Sequence, residues 1–120
     1  MRFEFTESDG FLIIKLSGTT SPNERLLSRR SLVGRLQKPR LKVIVDLSDL
    51  REHGGAYVVG MLNMIRKEIQ ILGGEIKVCA LSPRLFRYFQ ESRLLDLFET
   101  EGTIEQAKQS FRKEKDEDKS

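Results

Sequence analysis

The sequence has no tryptophan, one cysteine and one histidine in its 120 residues, and each scarcity removes a class of chemistry. Cys79 has no second thiol with which to form an internal disulfide, so nothing points to an oxidising compartment. It stands among apolar neighbours, where a lone thiol acts as a small core residue. His53 cannot build a multi-histidine metal centre, and it leaves any Ser-His-Asp arrangement resting on one loop residue. Its ordinary role there is that of a polar residue near a helix start. No GxxxxGKS/T or GxGxxG string is present to cradle phosphates. No apolar run approaches the ~20 residues that span a bilayer, and Met1–Phe5 alternates charge with aromatic residues rather than opening a signal peptide. Neither membrane insertion nor export is expected, and the predicted location is the cytoplasm. The 21 basic and 18 acidic residues nearly cancel to a net charge of +3, so the footprint of a nucleic-acid binder is missing. With no convergent acids, bases or nucleophiles, the chain reads as a non-enzyme without cofactor or metal.

What is present is a regular alternation of elements. Arg2–Glu7 and Phe11–Ser17 are β-prone and separated by Asp9-Gly10, a pair suited to the positive φ angles of a tight hairpin turn. Ser21-Pro22-Asn23-Glu24 combines a capping serine, a proline at the first helical position and a capping-box glutamate, which predicts a helix start. Leu26, Leu27, Val33 and Leu36 form its inner stripe, and Arg25, Arg29, Arg30 and Arg35 a basic outer face, whose ordinary reading is solvation. Leu41–Asp46 is a short β-branched run typical of a strand covered on both faces. A glycine-bearing loop then leads into a long helix over 56–72, with Val58, Leu62, Ile65, Ile69 and Leu72 as core stripe and Gly73 as its left-handed terminator. Glu75–Leu81 predicts another buried strand, Ser82-Pro83 a second helix start, Leu94–Phe98 an edge strand, and Thr103–Gln106 the cap of a last helix carrying Ile104, Ala107 and Phe111. Residues 112–120 carry charge without an apolar side chain and are expected to form a disordered tail after a single domain over 1–111. The resulting fold class is α/β, a mixed sheet of about four to five strands with four helices packed on it, its later strands parallel because such crossovers are right-handed.

The run Val43-Ile44-Val45-Asp46-Leu47-Ser48-Asp49-Leu50, the glycine-bearing loop, the long helix, and Gly73-Gly74-Glu75-Ile76-Lys77-Val78-Cys79-Ala80-Leu81-Ser82-Pro83 together resemble the STAS family, the bacterial anti-sigma factor antagonists and their relatives. Phe89, Ser92, Leu95, Phe98 and Ile104-Glu105-Gln106-Ala107 continue the resemblance, which covers nearly the whole chain before the tail. The resemblance implies a partner-switching protein that docks an anti-sigma factor or serine-kinase-like regulator and so governs sigma-factor-dependent transcription. In such antagonists an Asp-Ser-Ser/Thr-Gly motif opens the long helix, and its first hydroxyl is phosphorylated. Here that hydroxyl is missing. Counting forward from Asp46-Leu47-Ser48 puts the acceptor position at Gly55, and counting back from Gly73-Gly74 puts it at Ala56. The usual phosphoswitch is therefore expected to be absent. The partner-facing set implied by this reading is Ser48, His53, Gly54, Gly55, Ala56 and Tyr57, with Asp46 ending the central strand. Met61 and Met64 extend it along a second apolar line on the helix, shared with Tyr57 and Ile71, with the equal alternative that a broad sheet buries both lines. Two alternatives stay open, a STAS-type structural subunit of a lipid-transport complex or a signalling scaffold, as does a homodimer.

Overall fold

The computed structural model describes residues 2–18, 31–51 and 55–118, with side chains of 57–114 in the last stretch. Its five strands, β1 (Arg2–Ser8), β2 (Phe11–Gly18), β3 (Lys42–Leu50), β4 (Glu75–Cys79) and β5 (Glu99–Glu101), lie side by side in chain order. β1 and β2 pair antiparallel, and every later neighbour is parallel. The hairpin forms where it is predicted, because Asp9 (φ 55°) and Gly10 (φ 85°) both take the left-handed conformation that matches strand twist. The expected helix start at Ser21–Glu24 lies outside the described residues. Helix α1 is described over 31–35, and there Leu32, rather than the predicted Val33, joins Leu36 in full burial.

Helix α2 (Gly55–Ile71) ends at Gly73, whose φ of 77° supplies the left-handed turn, and Gly74 donates its N–H to the Ile69 carbonyl at 2.9 Å. Ser82 Oγ accepts the Leu85 N–H at 3.1 Å to cap α3 (Pro83–Glu91), and Thr103 Oγ1 accepts the Gln106 N–H at 3.1 Å to cap α4 (Ile104–Asp118). Both caps stand where the sequence predicts them. Parallel crossovers put α1, α2 and α3 on one face of the sheet, over alternate positions of the strands: Leu12, Ile14 and Leu16 of β2, Val43, Val45 and Leu47 of β3, and Val78 of β4. Among the described helices α4 covers the other face, packing Ala107 and Phe111 on Phe11, Ile13, Ile44 and Cys79.

Three expectations are corrected. β3 does not stop at Asp46 but runs to Leu50, because Asp49 and Leu50 pair with Ser17 and Gly18 beyond a one-residue bulge in β3. Leu94–Phe98 is not the edge strand. Leu94–Asp96 is a 3-10 turn entered through Arg93 at φ 58°, Phe98 is buried against Phe89 with ring centroids 5.9 Å apart, and the edge strand is Glu99–Glu101. Burial of the Phe98 ring thus decides where this short apolar piece goes. The tail expected from residue 112 is helical through Asp118, since Glu114 is drawn to a lysine in the sheet.

Candidate functional site

Parallel pairing brings the carboxyl ends of β3 and β4 to one rim of the sheet, and α2 and α3 both begin there, the usual position for a recognition site in open α/β sheets. On β3, Asp46 is buried to 7% exposure, and its Oδ1 accepts the Ser48 N–H at 2.9 Å. This local bond turns the Ser48 side chain outward at the rim. Asp49 is ion-paired with Lys15 Nζ at 2.8 Å, and the hydrogen bond to Asp49 holds the Lys15 ammonium above its ordinary pKa. Between the pairs Lys15–Asp46 and Ser17–Asp49, β3 carries one residue more than β2, a bulge directly under the rim. Directly after β4, Ala80 sits at φ 61°, a left-handed conformation that an alanine adopts at a cost of about 1–2 kcal/mol. Its N–H donates to the Glu101 carbonyl at 3.1 Å, which holds the turn into α3.

His53 and Gly54 lie outside the described residues, and Gly55 and Ala56 form the first residues of α2. Tyr57 and Met64 are half-buried against the core. Met61 is corrected from surface to core, being 6% exposed. At about 100° per residue it lies only about 70° from the centre of the Val58–Leu62–Ile65–Ile69 stripe, close enough for the broad sheet to cover it. Ile71, the last member of that apolar line, is 78% exposed. The rim thus gathers Ser48, Asp49 and the first turns of α2 and α3, whereas Met61 faces inward.

Two buried lysines, Lys77 on β4 and Lys108 on α4, were passed over by the sequence reading. Lys77, 2% exposed, donates to Glu99, to Ser110 Oγ at 2.9 Å and to Glu114 Oε1 at 2.8 Å, with Phe111 beneath its ammonium at 4.8 Å. Burial alone would lower its pKa, but the bonds to Glu114 and Glu99 outweigh it and keep the pKa above the ordinary value. Lys108, 4% exposed, donates to Ser8 Oγ and Asp9 Oδ2, both at 3.0 Å. The available signal was a lysine inside the apolar run Ile76–Leu81, interpretable once both sheet faces are known to be covered. Both clusters tie α4 to the sheet, away from the rim. Burial, with Asp46 as a lesser cause, pushes the Cys79 thiol up to about 12, so it stays protonated and unreactive at neutral pH. A cleft of about 360 Å³ lies at the opposite rim, where Arg40 and Lys42 are balanced by Glu75 and Glu114. Among the described residues no cluster of His, Cys, Asp and Glu could hold a metal ion, and no helix is long and apolar enough to cross a membrane.

Comparison with known proteins gives one family. The sequence profile described as "STAS domain" matches residues 2–107. "Putative anti-sigma factor antagonist BtrV" of Bordetella bronchiseptica is 25% identical over 112 residues, 93% of this chain and 96% of that protein. Among solved structures, an anti-sigma factor antagonist from Mycobacterium paratuberculosis superposes with a TM-score of 0.77 at 17% identity, over 92% of this chain and 93% of that one. An anti-sigma-factor antagonist (STAS) domain protein from Planctomyces limnophilus gives 0.73 at 17% identity, over 88% and 93%. The anti-sigma factor antagonist SpoIIAA in its unphosphorylated form gives 0.69 at 18% identity, over 92% and 96%.

Proposed function

Because this chain belongs to the STAS domain family, we propose that it is a non-enzymatic docking module that binds an anti-sigma factor or serine-kinase-like regulator, with its rim as the recognition face and without the usual serine phosphoswitch. The observation that carries this reading is the chemistry of the first turn of α2. Gly55 and Ala56, the two positions onto which the family's acceptor falls, have no hydroxyl. The two counts differ by one residue in the loop, and both positions on which the acceptor can fall lack an oxygen to phosphorylate. A phosphate would add about −1.5 to −2 charge at this rim and end docking by repulsion and desolvation; without an acceptor, the face stays in its binding state. Tyr57 does not replace the missing serine, because its ring carries the oxygen several ångström farther out. The resemblance to the Bordetella bronchiseptica relative over nearly its whole length supports the anti-sigma reading of the partner.

The experiment is incubation of the protein with its cognate kinase and ATP, followed by intact mass and by calorimetric titration into the anti-sigma factor. Unchanged mass and undiminished binding are expected. A phosphate on Ser48, the one Ser or Thr within residues 48–58, refutes the loss of the switch, and an absence of binding refutes the docking partner. Co-purification with a transporter ATPase and permease would assign the chain instead to the structural-subunit role.

A further inference from the structure

The sheet has two unlike edges. β5 is three residues long, whereas β1 runs for seven and pairs with β2 from Arg2 to Ser8 without a bulge. Natural sheets blunt long edges with short strands, prolines, charged side chains, above all lysine, or bulges; β1 has no proline, lysine or bulge, and its charges are Arg2, Glu4 and Glu7. Its two glutamates are partly neutralised within the chain: Glu4 stands across from Lys15, and Glu7 lies 3.9 Å from Lys38 Nζ. Phe3 and Phe5 remain half-buried, and Arg35 covers the Phe5 ring at 5.0 Å.

The turn determines which backbone groups face outward. A two-residue loop with both φ angles positive closes on a hydrogen-bonded pair, here Ser8 and Phe11, and alternation along an unbroken ladder then bonds Thr6, Glu4 and Arg2 to β2. Phe3, Phe5 and Glu7 are left with N–H and C=O groups directed away from the sheet. We propose that β1 pairs antiparallel with β1 of a second copy of this chain about a two-fold axis at Phe5, joining two sheets into one. In that register Phe5 meets Phe5, Phe3 meets Glu7, Glu4 meets Thr6 and Arg2 meets Ser8, so every outward-facing residue finds an outward-facing partner and no like charges stand directly opposite. Sliding by two residues in one direction sets Glu4 against Glu4. Sliding in the other leaves Phe3 unpaired. The α1-facing side of the joined strands buries the two Phe5 rings together beneath the two Arg35 side chains. The edge alone is a small contact, so the association is a concentration-dependent one.

Sedimentation velocity of the full chain over a concentration series reads the dimer directly. Glu7→Pro removes an outward N–H in each copy while sparing the β1–β2 bonds, and is expected to weaken the dimer by about tenfold or more with unchanged circular dichroism and melting. Cross-linking supplies the register. Glu4→Cys protein mixed with Thr6→Cys protein should form a disulfide dimer under copper-phenanthroline several-fold faster than either variant alone, with Cys79 fully buried and out of competition. This second readout decides the matter if Glu7→Pro does not fold. A monomer at all concentrations, a dimer indifferent to Glu7→Pro in its folded form, or equal cross-linking of the separate and mixed variants overturns the proposal, the last two pointing to another surface or another partner.

Discussion

Removing Lys77 and removing its carboxylate partners should cost very different amounts, because the three charges differ in their access to water. The Lys77 side chain is 2% exposed, whereas those of Glu99 and Glu114 are 63% and 42% exposed. In Lys77→Met the two carboxylates are left where water can reach them, and methionine refills the space of the aliphatic stem. Replacing a buried ion by an apolar side chain of similar volume is close to neutral, so the expected loss is about 0–2 kcal/mol. In the double variant Glu99→Ala/Glu114→Ala the ammonium loses both countercharges and keeps, among the described residues, Ser110 Oγ and the Phe111 ring. A stranded buried charge of this kind costs about 3–5 kcal/mol. For a domain of this size that is a fall in melting temperature of roughly 10–20 °C. Urea denaturation at pH 7 with matched m-values measures both. A Lys77→Met loss equal to or larger than that of the double variant would show that the ammonium is not desolvated, and the reasoning would fail.

Three further outcomes follow from particular positions. Met61→Ala should destabilise by about 2–4 kcal/mol and Ile71→Ala by no more than about 0.5 kcal/mol in chemical denaturation, reversing any expectation that both lie on one outer line. Ala80→Gly should stabilise by about 1 kcal/mol in the same assay, since it relieves the left-handed alanine directly after β4. The hydrogen bond from Lys77 holds the Glu99 carboxyl below its ordinary pKa, and the bond from Lys108 does the same for Asp9. Such groups contribute stability that is present above their unfolded pKa values and lost as pH falls through the depressed folded ones. Melting temperature should therefore drop below about pH 4, and less steeply in Glu99→Gln, which has no proton to take up there.

Where one local signal dictated one local structure, the sequence was legible. Asp9-Gly10 turned the hairpin, Ser82 and Thr103 capped their helices, and Gly73 closed α2, each through a bond or a φ angle owned by a few adjacent residues. The rim site was legible in part, because Ser48 and the start of α2 are marked by the strand-loop-helix pattern. Burial was less so. Met61 reads as an outer residue on a helical wheel drawn against a narrow core, and the breadth of the sheet beneath α2 is no property of that helix. Leu94–Phe98 is a short apolar piece that reads as an edge strand, yet Phe98 is buried against the tilted ring of Phe89, a contact with α3.

By itself the chain of residues determined the order of its elements, the parallel sense of its later strands and the lack of a hydroxyl at the head of α2. These follow from turn chemistry, the handedness of crossovers and residue identity, none of which needs a neighbour distant in sequence. Only the tertiary structure decided that Lys77 and Lys108 are buried with carboxylate partners, that the tail from residue 112 is helical through Asp118, and that among the described strands one long edge has no neighbour. Each of those depends on which surfaces meet after the sheet is covered on both faces, and a charged side chain takes an interior position only when the partner that stabilises it arrives from another part of the fold.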